Sequence, residues 1–406
     1  MPLLVFVLGA VATISRRPDV IFNAQFWAED GVIWYREAYM LGGLEALLLT
    51  RDGYFQTISR LTAAVSQLLP LAAAPLLFNL VALFWQVLPA AYLASPRFAR
   101  LIPSIWARLL LAFVYIALPN RAEVHVNVTN AQTHLAFLAL LLVLAPPSQR
   151  RWVQGVDLGI VTLASLSTIM CVFLVPVAAT LWYLRRDRWQ VQLLLVTGLT
   201  AVLQLIGLVT GPNTRSNDVL GASLDLLLRI IGGQLVLSPL IGTQGYIWLL
   251  DAGATSLVLI AGVVGCVLLG YAVMRGLPEL RLFLFFSLCI LLVALVRGQA
   301  LSAGAGVWQV LTLPQAGERY FFFPSLAVVV ALVWMAARRG PMLPRAGAAG
   351  LLAVLLAFGI PLSWRLEPLA DLHFAEQAQR FEEAPPGERV EIPVNPVGWS
   401  LDLVRR

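Results

Sequence analysis

The sequence contains no lysine, three histidines and three cysteines, and charged residues make up only 12% of its 406 residues. A soluble domain is typically about 25% charged, so this sparse charge excludes an ordinary soluble globular protein. The cysteines, Cys171, Cys266 and Cys289, lie in apolar runs and form neither a disulfide pattern nor a metal-binding pattern. The sequence also lacks a phosphate loop, a dinucleotide fingerprint, a zinc motif and a hydrolase nucleophile motif. These features argue against a cytosolic nucleotide-using enzyme.

Apolar residues dominate instead, at 59% of the chain with a mean hydropathy of +0.82. A helix needs about 20 apolar residues to cross a bilayer, and fewer where the bilayer thins. We expect eleven crossings, at residues 2–15, 74–94, 104–119, 131–146, 156–169, 171–184, 190–210, 252–274, 281–297, 318–337 and 346–363. The predicted fold is therefore an all-α polytopic membrane protein with one transmembrane domain over residues 1–363.

The arginines indicate how this domain is oriented. Alternate loops hold 13 arginines, from Arg97 to Arg345, and only three of the 22 acids. By the positive-inside tendency these loops face the cytoplasm, so the charge reports topology and does not indicate nucleic-acid binding. The N-terminus is then inside, and the loops 16–73 and 211–251 and the short tail 364–406 lie outside. An "AVA" at residues 10–12 leaves a cleaved signal peptide as an alternative for the first span, and cleavage would not move the first loop.

Two outer segments are predicted to be helices that lie in the membrane interface. Residues 54–69 have one apolar face, formed by Phe55, Ile58, Leu61, Val65 and Leu68, and one polar face, formed by Gln56, Ser59, Arg60 and Gln67. This pattern is typical of an interfacial helix. Residues 222–238 form the second candidate.

The first outer loop contains the stretch "FWAEDG" at residues 26–31, with Glu29 and Asp30 side by side between aromatic residues. The aromatic residues favour the membrane interface, where a partly desolvated carboxylate has a raised pKa that suits general-base work. Adjacent residues do not face one point on a regular helix. We therefore expect one acid to do chemistry while the other orients it or caps a helix, and Asp30 is itself a candidate cap for the residues that follow.

A second polar stretch, "PNRAEVHVNVTNAQTH", spans residues 119–134. Polar residues alternate with valine, which predicts an extended segment with Glu123, His125 and Asn127 on one side. We expect Thr129 or Asn130 to cap the next span. These side chains could form a hydrogen-bonding floor for a polar substrate, and an ordinary hydrated loop is the alternative.

Arginines in the outer half form a third group of candidates. Arg60 lies on the polar side of the helix at 54–69, which Tyr54 begins; Arg297 ends one span, and Arg319 and Tyr320 begin another. Charges at membrane depth are costly and tend to mark sites. The arginine fork suits a phosphate group, although a lone arginine is more often an interfacial anchor.

Together these positions make the chain resemble the GT-C superfamily of integral membrane glycosyltransferases. The resemblance rests on Glu29–Asp30 just after the first span, the interfacial helix at 54–69, a span ending in cytosolic arginines, and "RYFFFP" at 319–324; it covers the architecture of roughly residues 1–210. It implies catalysis outside the cytoplasm with a polyprenyl-phosphate-linked sugar donor, and a first-loop carboxylate, Asp30 or Glu29, as base or metal ligand. The chain departs from the family in having only a short tail and few acids near the site. A divalent cation, Mg²⁺ or Mn²⁺, is thus an open expectation.

We expect inverting transfer of a sugar to a glycan or lipid acceptor on the outer face of a bacterial inner membrane, with Asp30 as base. Arg60, Arg297 or Arg319 would stabilise the departing phosphate. The main alternative is a polytopic transporter or a lipid or glycolipid flippase, which usually has charged residues at mid-span or broken helices. A non-catalytic assembly subunit is a further alternative.

Overall fold

The computed structural model describes residues 1–211, 219–298 and 306–406, and most of these residues are helical. The α-helices, numbered in chain order, are α1 (Pro2–Arg16), α2 (Asp19–Phe22), α3 (Arg36–Leu41), α4 (Gly43–Leu47), α5 (Thr57–Ser66), α6 (Ala74–Leu93), α7 (Ile105–Ala117), α8 (Val128–Leu144), α9 (Arg151–Ser167), α10 (Leu174–Arg185), α11 (Arg188–Thr210), α12 (Leu224–Ile230), α13 (Ser238–Asp251), α14 (Thr255–Arg275), α15 (Pro278–Arg297), α16 (Val307–Leu311), α17 (Glu318–Ala337), α18 (Met342–Val354), α19 (Ile360–Leu362) and α20 (Phe374–Glu383).

Shorter elements connect these helices. The π-helical segments are Asp30–Tyr35, Ile231–Leu237 and Leu355–Gly359, and the 3₁₀ turns are Leu71–Ala73, Pro96–Arg100 and Ile169–Phe173. The strands are β1 (Thr50–Arg51), β2 (Tyr54–Phe55), β3 (Arg389–Val394) and β4 (Trp399–Val404), which form two antiparallel pairs, β1 with β2 and β3 with β4.

Among the described residues, seven helices are long and apolar enough to cross a membrane. They are Leu71–Leu93, Arg188–Thr210, Leu224–Asp251, Thr255–Arg275, Pro278–Arg297, Glu318–Ala337 and Met342–Leu362. An eighth crossing results if the helices Arg151–Ser167 and Ile169–Arg185, which meet at a bend of 119°, form one span. The protein is a mostly helical, membrane-embedded chain, as the sequence predicts.

The count of eleven spans is not confirmed. Three predicted spans correspond to apolar helices shorter than 18 residues, α1, α7 and α8. The predicted spans 156–169 and 171–184 are the two arms of the bent pair. Residues 222–238 do not form a separate interfacial helix, because the helical path that begins at Leu224 continues to Asp251 with a kink at Gly242.

Helix α5 confirms a helix within the predicted 54–69 segment, although Tyr54 and Phe55 pair with β1 as a strand. Its polar side chains, including Ser59 and Arg60, are buried. Of its apolar side chains, Leu61 and Val65 are 41% and 46% exposed, whereas Ile58 is buried. A helix that buries its polar side chains and exposes part of its apolar face is suited to a lipid-facing position.

The described chain divides into two compact units. The N-terminal unit comprises Leu3–Ala91, Val124–Asn213 and Leu366–Arg406, and the central unit comprises Met1–Pro2, Tyr92–Glu123 and Thr214–Arg365.

In the N-terminal unit the chain's last segment folds onto the first loop. Helix α20 and the β3–β4 hairpin contribute Phe374, Phe381, Ile392 and Leu401 to a buried apolar cluster that also contains Phe26. The ring of Phe26 meets that of Phe374 edge to face, with centroids 5.3 Å apart. The segment predicted as a polar tail is therefore part of the core that supports the first loop.

In the central unit a buried amide organises the polar interior. The Asn120 amide donates to Gln234 Oε1 at 3.0 Å, and Gln234 Nε2 donates to the backbone carbonyls of Leu311 and Leu313. Ser325 of α17 donates to the carbonyl of Gln234 at 3.0 Å. These bonds join the 231–237 π segment to α17 and to the segment that precedes Glu123.

Candidate functional site

The "FWAEDG" loop is held on one side by the tail. The Asn395 backbone N–H donates to the carbonyl of Phe26 at 3.1 Å, and the Ala28 N–H donates to the carbonyl of Asn395. Ala28 has a φ of +41°, in the left-handed region that alanine rarely adopts. The flanking hydrogen bonds stabilise this sharp turn, which immediately precedes Glu29 and Asp30.

Asp30 holds the loop on its other side, against the start of α8. Its Oδ2 accepts the Val128 N–H at 3.0 Å, and its Oδ1 accepts the Thr129 N–H at 2.8 Å and the Thr129 hydroxyl at 2.7 Å. The side chain is 1% exposed. Asp30 is the first residue of its own π-helical segment, not its N-cap. Its carboxyl group instead accepts hydrogen bonds from the start of a helix that begins 98 residues later.

The start of α8 is consequently complete in its hydrogen bonds. Asp30 accepts from the first two helical N–H groups, Asn127 Oδ1 accepts the Asn130 N–H at 2.8 Å, and the Asn127 carbonyl accepts the Ala131 N–H. The N–H groups of residues 128–130, which have no partner within the helix, are thus all paired, and the Ala131 bond is the first intrahelical one. The cap is thus Asn127, and not Thr129 or Asn130 as the sequence suggested.

The environment of Asp30 favours its protonated form. The pKa of Asp30 is raised from 3.8 to about 7: burial is the main cause, the nearby Glu29 adds to the rise, and the hydrogen bonds from Thr129 and Val128 oppose it. A carboxyl group with a pKa near 7 can take up or release a proton at neutral pH.

Glu29 has a different position from its neighbour. It is half-buried, and its side chain makes no hydrogen bond or ion pair with any residue in the described part of the chain. Its carboxylate can therefore meet a ligand without first breaking a bond within the protein.

Arg60, in the same unit, is connected to Asp30 through Trp34 and Thr129. Its Nη1 contacts Glu37 Oε2 at 2.8 Å, and its guanidinium lies 5.1 Å from the centroid of the Trp34 ring. Trp34 in turn donates its Nε1–H to the Thr129 hydroxyl at 2.8 Å. The arrangement links Arg60, 1% exposed, to the same hydroxyl that binds Asp30.

The predicted polar floor at 123–127 differs from expectation. The segment forms turns, and Val126 has a φ of +46°, so it is not extended. Valines 124, 126 and 128 are all buried, and so are His125 and Asn127. Alternation therefore does not separate two faces here. His125 contacts Gln86, whereas Asn127 caps α8.

The other predicted residues are distributed between the two units. Tyr54 is buried in strand β2 of the N-terminal unit. In the central unit Glu123 pairs with Arg319 and accepts the Arg319 backbone N–H at 3.1 Å. Arg319 also donates to the Tyr320 hydroxyl at 3.1 Å. Arg297, at the end of α15, is exposed.

Sequence reasoning missed Arg16, Arg17 and Glu37 of the N-terminal unit, and it considered Thr129 only as a helix cap. Arg16 and Arg17 are 2% and 7% exposed. One signal was available, because the predicted topology places this arginine pair on the outer side, against the positive-inside tendency. The partnership of Thr129 with Asp30 had no sequence signal.

A divalent cation does not fit the geometry around Asp30, because both of its oxygens face N–H or O–H donors of α8. The described ranges contain no group of three or more His, Cys, Asp or Glu side chains that could hold a metal ion.

Comparison with known protein families and with curated proteins gives no match for this chain.

Proposed function

We propose that this chain is an integral membrane glycosyltransferase of the GT-C type. It would transfer a sugar from a polyprenyl-phosphate-linked donor to an acceptor on the extracytoplasmic face of a bacterial inner membrane. The main support for this proposal is that the two adjacent acids differ. Asp30 is hydrogen-bonded within the fold, whereas the half-buried Glu29 carboxylate is open to a ligand.

Because of this difference we assign Glu29 as the general base that takes the proton from the acceptor hydroxyl. Asp30 fixes the turn from which Glu29 projects. Asp30 as the base stays the alternative assignment, since a pKa near 7 also suits that role.

The packing of the tail supports a topology in which the first loop and the tail lie on one side of the membrane. Residues of the tail and of the first loop lie in one apolar cluster and exchange backbone hydrogen bonds. They therefore lie on the same side of the membrane. The proposed eleven-span topology also puts both of them on one side, the outer one.

Within this mechanism Arg60 is a positioning residue. It is buried and bound to Glu37 and Trp34, so it holds the Trp34–Thr129–Asp30 chain of contacts.

The test uses the full chain in lipid nanodiscs with a panel of polyprenyl-phosphate sugars and a membrane acceptor extract. Release of free polyprenyl phosphate is followed by mass spectrometry. We expect release by the wild type and a loss of about 10²–10⁴-fold in Glu29→Gln. The matched control is Glu45→Gln, which changes an exposed acid of the same unit and should leave release unchanged.

The outcomes separate the assignments. Release that survives Glu29→Gln and is lost in a folded Asp30→Asn protein would make Asp30 the base. If the wild type releases no polyprenyl phosphate from any donor, the proposed glycosyltransferase activity is refuted.

Transport is the second candidate function, and two observations favour it. Helices α9 and α10 meet at 119°, and Asp157 of α9 is fully buried. Broken helices and buried acids at membrane depth are typical of transporters. A flippase assay with fluorescent glycolipids in proteoliposomes tests it: movement that Asp157→Asn abolishes, without donor cleavage, would favour transport over transfer.

A further inference from the structure

Two loops lie together at the far end of α8 in the N-terminal unit. Arg185, the last residue of α10, donates to the carbonyl of Leu144, the last residue of α8, at 2.9 Å. This bond brings the loop between α8 and α9 beside the loop between α10 and α11. A helix of 17 residues such as α8 is about 26 Å long. The joined loops are therefore well separated from Asp30, which contacts the start of that helix.

The joined loops carry an unbalanced positive charge. They expose four arginines that make no ion pair within the described part of the chain and that we call the arginine patch: Arg150, Arg151, Arg186 and Arg188. The acids between residues 145 and 190 are Asp157, which is fully buried, and Asp187. The Asp187 side chain accepts the Gln190 N–H at 2.8 Å and so caps α11. The exposed surface of these loops therefore attracts an anion.

Two aromatic rings hold the guanidinium of Arg186. It lies 4.9 Å from the centroid of the Trp182 ring and 4.7 Å from that of the Tyr183 ring. The Arg186 Nε donates to the Tyr183 carbonyl at 3.0 Å, whereas its two Nη groups form no hydrogen bond within the described residues. The guanidinium is thus oriented in advance, and its terminal fork is left to bind a phosphate group in a bidentate manner.

The side chains around the arginine patch indicate a membrane surface. Trp152 and Tyr183 are 67% and 66% exposed, and such aromatic side chains are enriched where a bilayer meets water. Further along the spanning helix α11, Leu195 and Leu199 lie four residues apart on one face and are 58% and 67% exposed. The charge therefore lies at the level of lipid head groups, and the apolar surface beyond it suits acyl chains.

We infer that the arginine patch binds the head group of an anionic phospholipid from the surrounding membrane. This lipid is a structural ligand and not the proposed sugar donor, because the patch and the acid pair lie at opposite ends of α8. In the proposed topology this end of α8 faces the cytoplasm, and the cytoplasmic leaflet is the one that attracts clustered arginines through its negative surface potential. The inference does not depend on the proposed enzyme activity.

The experiment removes lipid from the full chain in detergent, titrates it with phosphatidylglycerol, and counts bound lipid by native mass spectrometry. A parallel titration uses phosphatidylcholine, which carries the same phosphate but no net charge. We expect phosphatidylglycerol to bind about tenfold more tightly, since each arginine near a lipid phosphate adds about fivefold in affinity for a net negative lipid. A third arm offers a double-stranded DNA oligonucleotide, and we expect it to form no complex.

Variants test the residues of the patch. Arg186→Gln and Arg188→Gln should each weaken phosphatidylglycerol binding about fivefold. Trp182→Leu keeps every charge but removes one of the rings that hold Arg186, so it should weaken binding as well. Arg36→Gln is the matched control, because it removes an exposed arginine of the first loop and should bind like the wild type. Thermal unfolding checks that each variant folds.

Equal affinity for the two phospholipids would overturn the inference, as would wild-type affinity in the folded arginine variants. Binding of the oligonucleotide more tightly than phosphatidylglycerol would assign the patch to nucleic acid and would overturn it too. The result is separate from sugar transfer. A chain that binds phosphatidylglycerol but releases no polyprenyl phosphate would retain the lipid site and refute the proposed enzyme, and the reverse pattern would retain the enzyme alone.

Discussion

The pKa of Asp30 predicts how the stability of the protein depends on pH. The folded state holds the Asp30 proton up to about pH 7, whereas an unfolded aspartate releases it near 3.8. Between these values the folded state binds more protons than the unfolded state. The free energy of unfolding should therefore fall as pH rises from about 4 to about 7, and Asp30 should contribute no further change at higher pH.

The size of this fall follows from the two pKa values. A pKa that rises from 3.8 to about 7 corresponds to at most about 4 kcal/mol, because one pKa unit is worth about 1.4 kcal/mol. Between pH 5 and pH 8, where the protein can be handled, the linkage gives a fall of about 2–3 kcal/mol. This fall in stability requires that burial raises the pKa of Asp30 by more than the three hydrogen bonds from Val128 and Thr129 lower it.

The assay is equilibrium unfolding in mixed micelles, followed by circular dichroism, for the wild type and Asp30→Asn at pH 5 and pH 8. Asparagine does not titrate, so the difference between the two proteins isolates Asp30 from every other titrating group. We expect the variant to gain about 2–3 kcal/mol relative to the wild type on going from pH 5 to pH 8. A difference that is independent of pH would show that the donors of α8 keep the carboxylate ionised, and would refute the reasoning.

Three further predictions concern the supports of the site. Asn127→Ala removes the side-chain cap on the Asn130 N–H and should lower the free energy of unfolding by about 1 kcal/mol; no change in the same micelle assay would contradict the cap. Phe374→Ala empties a buried position against the first loop and should cost about 3–5 kcal/mol; limited proteolysis should cut that loop faster, and an unchanged cleavage rate would refute the packing argument. Glu37→Gln removes the ion-pair partner of the buried Arg60 and should cost about 1–3 kcal/mol, with a loss below 0.5 kcal/mol arguing against the pair.

The sequence predicted the features that depend on local composition. Long apolar runs indicated a helical membrane protein, because a bilayer requires such runs. The amphipathic pattern of residues 54–69 indicated α5, in which Ser59 and Arg60 of the polar face are buried, as is Ile58 of the apolar face. The acid pair could be found from the sequence alone, because it follows the first apolar run in the chain.

The roles of the two acids depend on contacts that composition does not encode. Asp30 meets Val128 and Thr129 across separations of 98 and 99 residues, and no periodicity near residue 30 indicates α8 as its partner. The alternation at 123–129 was wrong as a guide because both sets of side chains are buried. A period of two reports a strand only where one face is solvated.

The pairing of the first loop with the tail orders the assembly of the site in time. Residues 26 and 28 reach their final hydrogen bonds only through Asn395, which leaves the ribosome more than 360 residues after them. At the usual rate of synthesis, about 5–20 residues per second, the acidic loop waits tens of seconds for its partner. A chain interrupted before residue 395 would insert its helices in the membrane and still lack these two hydrogen bonds on the acidic loop.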